Sequence, residues 1–174
     1  MVAVPRCLDQ LRDATRARHA ALDTQLRLES PAAYVRFAIA TLAAIETLEP
    51  AIAAHVAGFG TDRVVALRAD LEELGAAPAP ALAHPAFASP SAAFGAAYVM
   101  EGSTLGGLVL ADRVEALGST ATRYLRLRGS ATGARWKHFL AELEARVTDR
   151  GACCAAAVAT FAHYEAAYRQ YGSL

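Results

Sequence analysis

Hydrophobic residues recur every three or four positions along most of the chain, the spacing that places them on one face of an α-helix. Alternation of apolar and polar residues, which is typical of strands, is scarce. The pattern predicts helices over about 8–26, 31–50, 62–74, 90–117 and 152–171, with another beginning near residue 134. We therefore predict an all-α, single-domain helical bundle that includes residues 1–174.

Capping residues and prolines set the predicted helix ends. Ser30-Pro31 and Ser89-Pro90 each combine a good N-cap with a proline at the first helical position. Pro50 is expected to end or kink the second helix, and a short segment then continues over 51–56. Residues 76–89 are predicted to form a loop across one end of the bundle, and residues 124–128 a short extended piece.

The composition narrows the classes of protein. The chain has 174 residues, 55% of them hydrophobic, and a formal net charge of zero, without the basic stripe typical of nucleic-acid binding. No apolar run reaches the roughly 18 residues that span a bilayer, and the first six residues lack a signal-peptide core. We therefore expect a cytoplasmic protein with no membrane or nucleic-acid partner. The three cysteines, two of them adjacent, predict neither a disulfide framework nor a zinc site.

Three glycines interrupt the predicted helix over 90–117, in a chain that uses alanine freely elsewhere. Each costs roughly 1 kcal/mol relative to alanine in a helix interior, so about 3 kcal/mol is given up. Gly102 and Gly106 are four residues apart and share a face, with Gly107 beside them. This glycine strip allows either a close helix–helix crossing or the close approach of another body to the main chain.

The first predicted helix carries a histidine, His19, within its apolar face. A histidine placed so is either a hydrogen-bonded core residue or a ligand. Asp23 lies one turn further on, where it can orient the imidazole. Arg12 lies two turns earlier, about 10.5 Å along the helix axis. This spacing suits a flat dianion that contains iron, although Arg12 also reads as an ordinary solvated charge.

Two motifs together resemble heme oxygenase, and the resemblance extends over essentially the whole chain. The first is LRDATRARHAALD at residues 11–23, and the second is EGSTLGG at residues 101–107. In that family the first motif has the form Leu-Lys/Arg-x-Ala-Thr-x-x-x-His, whose histidine is the proximal ligand of the haem iron. By this resemblance His19 ligates the iron, Arg12 pairs with a haem propionate, and the glycine strip lies across the opposite, distal face of the haem.

The resemblance implies further haem-binding residues. Tyr98 opens the glycine-rich segment and is expected to contact the haem. Phe161 matches the position of a family pocket aromatic, but core packing explains it equally well. Arg135 and Lys137, at the start of the later helix, are further candidates for pairing with propionates.

Ser103 departs from the mammalian-type pattern Gly-Asp-x-x-Gly-Gly, whose aspartate holds a distal water network. The form Gly-Ser-Thr-Leu-Gly resembles a bacterial branch that works without this aspartate, including enzymes that supply biliverdin to bacterial phytochromes. Gly102, Ser103 and Gly106 are therefore the catalytic candidates, with Ser103 and nearby backbone groups positioning distal water.

The resemblance implies an enzyme that opens haem at a meso carbon to biliverdin, carbon monoxide and ferrous iron. Haem is then both substrate and cofactor, and O2 is the oxidant. Because the chain lacks a nucleotide-binding fingerprint, the electrons are expected from an external donor such as ferredoxin or a flavin reductase. A bilin-accepting phytochrome is a further expected partner. The alternatives are a non-catalytic haem carrier or sensor, and a helical-bundle enzyme that binds no haem.

Overall fold

A computed structural model describes residues 6–84 and 86–172, and all regular structure within these ranges is helical. The all-α prediction is confirmed. The six α-helices are α1 (Cys7–Gln25), α2 (Pro31–Ala53), α3 (Asp62–Glu73), α4 (Pro90–Ala116), α5 (Thr132–Arg146) and α6 (Arg150–Ala167). A short 3-10 turn (Gly129–Ala131) precedes α5, and a π turn (Tyr168–Gly172) follows α6. Residues 1–5 belong to the N-terminal segment for which no signal-peptide core was predicted, and they lie outside the described residues.

The predicted serine caps are confirmed. The Ser30 side chain accepts a hydrogen bond from the Ala33 N–H at 3.1 Å, and Ser89 caps α4 in the same way. Each cap satisfies one of the amide groups that a helix start leaves unpaired. A third cap was not predicted: the Asp149 carboxylate accepts from the Ala152 N–H at 2.9 Å and begins α6.

Two local predictions are wrong at least in part. Pro50 does not end the second helix, since α2 continues through the proline to Ala53, and the alternative of a kink at Pro50 stays a prediction. The face formed by Ile45, Leu48 and Ile52 is fully buried on both sides of the proline, so core packing outweighs the lost hydrogen bond. Residues 124–128 form turns instead of an extended piece, with the Arg126 N–H bonded to the Thr122 carbonyl at 2.9 Å.

The backbones of α4 and α6 come into close contact at Gly95, about two turns before the glycine strip. A Cβ atom at Gly95 would overlap the carbonyl oxygen of Cys153 on α6. The helix–helix reading of the glycine pattern therefore applies to Gly95, which the sequence analysis did not single out. At this point the two backbones pack without an intervening side chain, which fixes the spacing of the two helices.

By length and composition α4 is apolar enough to cross a membrane. Half of its most apolar window is nevertheless buried within the protein, as in the core helix of a folded domain, so this is weak evidence for a membrane span. The expectation of a protein without a membrane partner stays a prediction.

Candidate functional site

A cavity of about 610 Å³ opens between α1, α4 and α6. Its volume falls in the range of small-molecule and cofactor sites. Most of its lining is apolar or aromatic, and polar groups come mainly from α1 and from the middle of α4. The aromatic lining residues are Phe37, Tyr98, Tyr124, Trp136, Phe161, Tyr164 and Tyr168. Of the predicted site residues, nine line this cavity: Arg12, His19, Asp23, Tyr98, Gly102, Ser103, Gly106, Gly107 and Phe161.

His19 lies at the exposed edge of the cavity, with 64% of its side chain accessible. Its Nδ1 is 2.8 Å from the Asp23 Oδ2, one turn further along α1, so the predicted contact between the two side chains is present. The ring also makes an edge contact with Phe161 on α6, with the ring centroids 5.9 Å apart. When Nδ1–H donates to Asp23, the lone pair of Nε2 is left for a ligand.

Arg12 brings positive charge to the same cavity. It is exposed, and within the described residues it makes no ion pair, whereas most arginines of the protein contact a carboxylate. The charge of Arg12 also acts on the neighbouring Tyr98. Burial raises the pKa of Tyr98, and hydrogen bonding to Thr15 and the charge of Arg12 lower it by smaller amounts. An unpaired guanidinium beside an apolar cavity is well placed to bind a carboxylate.

The three glycines of the strip differ in what they face. A Cβ atom at Gly106 would have no neighbour within 4 Å, so this position faces open space. A Cβ atom at Gly107 would lie 2.6 Å from the carbonyl oxygen of Leu125, so this glycine is needed for packing against a neighbouring loop. At Gly102 it would make an ordinary contact of 3.7 Å with Trp136. Of the three, Gly106 best fits a bare wall that faces a ligand.

Ser103 lies on the cavity face of α4, but its hydroxyl proton is already used. The Oγ donates to the Met100 carbonyl at 2.8 Å, one turn back in the same helix. The Tyr124 hydroxyl interacts with the Ser103 side chain; burial raises the pKa of Tyr124, and this interaction lowers it by a smaller amount. Ser103 is therefore better placed to accept hydrogen bonds than to donate them.

Two of the predicted propionate partners are not at the cavity. Arg135 forms a two-pronged contact with the buried carboxylate of Glu101, with an Nη2–Oε1 distance of 2.9 Å. Lys137 is exposed and does not line the cavity. Of the three candidates for pairing with a propionate, Arg12 is therefore the one at the cavity. Arg135 instead neutralises the buried carboxylate of Glu101, whose charge would be costly without a partner.

A buried charge cluster, which the sequence pattern does not predict, lies next to the cavity. Arg63 is 1% exposed and sits between Glu49 and Glu101, with an Nη2–Oε1 distance of 3.0 Å to Glu101. Burial raises the pKa of Glu49, and hydrogen bonds from Val64 and Arg63 oppose this without cancelling it. Burial acts in the same direction on Glu101, but Arg135 and Arg63 outweigh it, so the pKa of Glu101 is lowered.

The loop that carries Tyr124 is held by one carboxylate from another helix. Asp70 on α3 is fully buried and accepts hydrogen bonds from the Arg123 and Tyr124 backbone N–H groups at 3.0 and 2.9 Å. The Arg123 guanidinium adds a third bond to the same carboxylate at 3.1 Å. This Asp70 clamp fixes the loop that supplies Tyr124 and Leu125 to the cavity, although Asp70 does not line it.

Three tyrosines of the cavity were not predicted as site residues. Tyr164 and Tyr168 lie at helical spacing in the predicted helix over 152–171, a pattern more often typical of core packing, and Tyr124 lies in the predicted extended piece over 124–128. The apolar periodicity of α6 is the same for a core face and for a cavity wall, so the pattern alone does not separate the two. The feature in the sequence that could have indicated a cavity wall is the hydroxyl group that all three share, because a purely apolar core does not need one.

The fold and the cavity define a class: a helical bundle whose aromatic cavity presents one oriented imidazole and one unpaired cation. In the described part of the chain no group of three or more histidine, cysteine, aspartate or glutamate side chains is arranged to hold a metal ion. A metal held by His19 would therefore need to bring further ligands of its own, as a chelated metal does.

Over 109 residues the chain is 40% identical to a protein named heme oxygenase from Xanthomonas campestris pv. campestris (strain 8004). The match covers 59% of this chain and 64% of the relative, so the chain spans a little less than two thirds of that protein's length. No protein-family model matches the chain.

Proposed function

We propose that this protein is a heme oxygenase, an oxidoreductase that degrades haem. The observation that carries the proposal is the placement of His19, whose Nδ1 is held by Asp23 at the edge of a large aromatic cavity while Nε2 remains available. The similarity to the Xanthomonas protein supports the same class of activity.

The residues of the cavity fit haem. The aromatic lining suits the faces of a porphyrin, and the volume of about 610 Å³ suits a cofactor-sized ligand. One imidazole without other protein ligands suits an iron that already has four ligands from its porphyrin. The unpaired guanidinium of Arg12 suits a propionate. Tyr98 and Phe161 pack beside these groups and limit how a flat ligand can rotate.

Bound haem supplies the iron and the meso carbon at which O2 is activated and inserted, giving biliverdin, carbon monoxide and ferrous iron. In our proposal, the residues of the protein orient that chemistry. Asp23 holds the His19 ring so that Nε2 is the coordinating nitrogen. Gly106 leaves the opposite wall bare, and Gly102, Ser103 and neighbouring backbone groups border the space where O2 is to bind and restrict its tilt. Gly107 contributes by holding α4 close to the Leu125 loop.

The remaining parts of the proposal concern partners and location. Electrons come from an external protein donor such as ferredoxin or a flavin reductase, and the product biliverdin is available to a phytochrome. The proposed location is the cytoplasm.

One observation favours a second candidate function, a haem carrier or sensor. The hydroxyl proton of Ser103, which stands at the position of the family's aspartate, is committed to the Met100 carbonyl. A cavity without a proton donor on that side would bind haem and not degrade it.

Titration of the purified protein with hemin tests haem binding. We expect a shifted Soret band in the parent protein, and loss or alteration of that band in His19→Ala. His138→Ala is the matched control, because His138 also faces a carboxylate one turn away on a helix but lies on α5 outside the cavity. No Soret shift in the parent protein, or an unchanged spectrum in His19→Ala, would contradict the assignment of the iron ligand.

Turnover separates the enzyme from the carrier. The haem complex is supplied in air with ascorbate, or with ferredoxin and its reductase, and absorbance is followed over time. An enzyme loses its Soret band and forms a bilin, whereas a carrier keeps the band and forms none.

A further inference from the structure

The hydroxyl of Tyr164 is a buried polar group that makes no hydrogen bond within the described residues. Tyr164 belongs to the cavity lining and is 6% exposed, and its hydroxyl oxygen has no hydrogen-bond partner among the described residues. Buried hydroxyls are almost always bonded, because leaving one unsatisfied costs free energy that water would otherwise supply. Phenylalanine would fill the same space without that cost.

The neighbouring tyrosine shows the ordinary arrangement. Tyr168 stacks on Tyr164 with ring centroids 6.2 Å apart, and its hydroxyl is 2.9 Å from the Thr41 Oγ1. Two stacked tyrosines on consecutive turns thus differ in one respect: one hydroxyl is bonded within the fold and the other is not.

Tyr164 lies in the buried part of the cavity, near Tyr168 and Tyr124. Its ring lies one turn beyond Phe161, which contacts His19, so Tyr164 is deeper in the molecule than the imidazole. Tyr124, which interacts with Ser103 on α4, is close enough to act on Tyr164 electrostatically. Burial raises the pKa of Tyr164 well above its ordinary value, with a further rise from Tyr124, so the phenol keeps its proton at neutral pH.

A second unsatisfied donor lies in the same region. The Nε of Arg63 is buried and has no hydrogen-bond partner among the described residues, and the charge of Arg63 acts on the phenol of Tyr164. Arg63 does not line the cavity, so of these two donors the Tyr164 hydroxyl is the one placed to meet an acceptor atom there, from a ligand or an ordered water.

We propose that Tyr164 is a ligand-positioning residue, whose hydroxyl donates a hydrogen bond to a small acceptor ligand that would bind in the cavity beside haem. This inference rests on the proposed function, because the ligand is one that binds beside haem. The Tyr164 hydroxyl would donate the proton that Ser103 cannot, because the Ser103 hydroxyl already donates to the Met100 carbonyl. The O–H bond of Tyr164 can rotate toward the acceptor.

The test compares Tyr164→Phe with a second tyrosine variant in each of two measurements, Tyr168→Phe for stability and Tyr34→Phe for ligand binding. In the haem-free protein, thermal unfolding is followed by circular dichroism. Tyr164→Phe is expected to keep or raise the Tm, by up to about 6 °C, because it removes an unsatisfied buried hydroxyl. Tyr168→Phe is expected to lower the Tm, because it leaves the Thr41 hydroxyl without its partner.

In the ferric haem complex, fluoride is the probe, because this small anion accepts hydrogen bonds strongly. Absorbance titration is expected to give a dissociation constant about tenfold higher in Tyr164→Phe than in the parent protein, as for loss of one hydrogen bond to a charged acceptor. Tyr34→Phe is the control here, because the Tyr34 hydroxyl donates to the Ala121 carbonyl at 2.6 Å and Tyr34 does not line the cavity. Its affinity for fluoride is expected to stay within about twofold of the parent value.

The outcomes separate the two proposals. If the parent protein takes up no haem, the proposed function fails and this inference fails with it. If all proteins bind haem but Tyr164→Phe has an unchanged fluoride affinity, the inference alone is overturned. A Tyr164→Phe variant that loses as much thermal stability as Tyr168→Phe also overturns it, since its hydroxyl would then have a structural partner.

Discussion

Adjacent glycines on α4 are expected to respond in opposite directions to the same substitution. Gly106→Ala places its new methyl group where no atom lies within 4 Å, so only the backbone effect remains. Replacing a helical glycine with alanine gains about 0.5–1 kcal/mol, mainly by restricting the unfolded chain. For a domain of this size that gain corresponds to a rise in Tm of about 1–4 °C.

Gly107→Ala gains the same backbone contribution but meets a fixed obstacle. Its Cβ atom would lie 2.6 Å from the Leu125 carbonyl oxygen and 3.4 Å from the carbonyl carbon. Backbone atoms cannot rotate away as a flexible side chain can, and the Asp70 clamp holds the preceding residues of that loop. Overpacking of this kind costs about 1–3 kcal/mol, so we expect a net loss of about 1–2 kcal/mol and a fall in Tm of about 2–8 °C.

Thermal and urea unfolding of the haem-free variants, followed by circular dichroism, measure this difference. Haem titration of Gly106→Ala adds a second reading, because a methyl group on the bare wall should weaken haem binding while the fold becomes more stable. Equal stabilisation of both variants would refute the assignment of Gly107 to loop packing. Destabilisation by Gly106→Ala would refute the open position of Gly106.

Three further predictions concern charged groups. Arg63→Met leaves the carboxylates of Glu49 and Glu101 without their shared cation, and urea denaturation should show a loss of about 3–5 kcal/mol. Because the pKa of Glu101 is lowered from 4.5 in the folded state, its carboxylate stabilises the fold above pH 4.5, and this contribution fades as the pH falls through the folded-state pKa. Glu101→Gln should therefore be most destabilising near pH 7 and least near pH 3 in unfolding measured across that range, and a constant difference would contradict this. Asp23→Ala removes the partner of the His19 Nδ1 and should weaken haem binding by about 10- to 100-fold in hemin titration, without the loss or alteration of the Soret band expected for His19→Ala.

Much of the fold could be predicted from local pattern, because local chemistry decides it. The caps at Ser30 and Ser89 require only their immediate neighbours. The same holds for the ends of the helices predicted over 62–74 and 90–117, which are followed by Gly75 and Gly118, both with positive φ. Pro50 was misjudged because its effect depends on the burial of the face around it, which a local rule does not include.

The candidate site divides in the same way. His19 and Asp23 are one turn apart on one helix, so their contact follows from helix geometry. Glu49, Arg63 and Glu101 lie on three different helices, and their meeting depends on the packing of all three. Arg135 was expected at the cavity because its place in sequence and its charge both suited a propionate. In the structure, Arg135 instead forms an ion pair with the carboxylate of Glu101.

The Asp70 clamp means that the shape of the cavity depends on a residue that never touches its contents. A substitution at Asp70 would release the backbone of Arg123 and Tyr124, and with it the Tyr124 ring and the carbonyl that packs on Gly107. When two proteins of this class are compared for ligand preference, identical lining residues therefore do not guarantee identical cavities. The residue aligned with Asp70 on α3 should be compared together with the lining residues. A substitution at this position is expected to change which ligands bind while every residue that contacts the ligand stays the same.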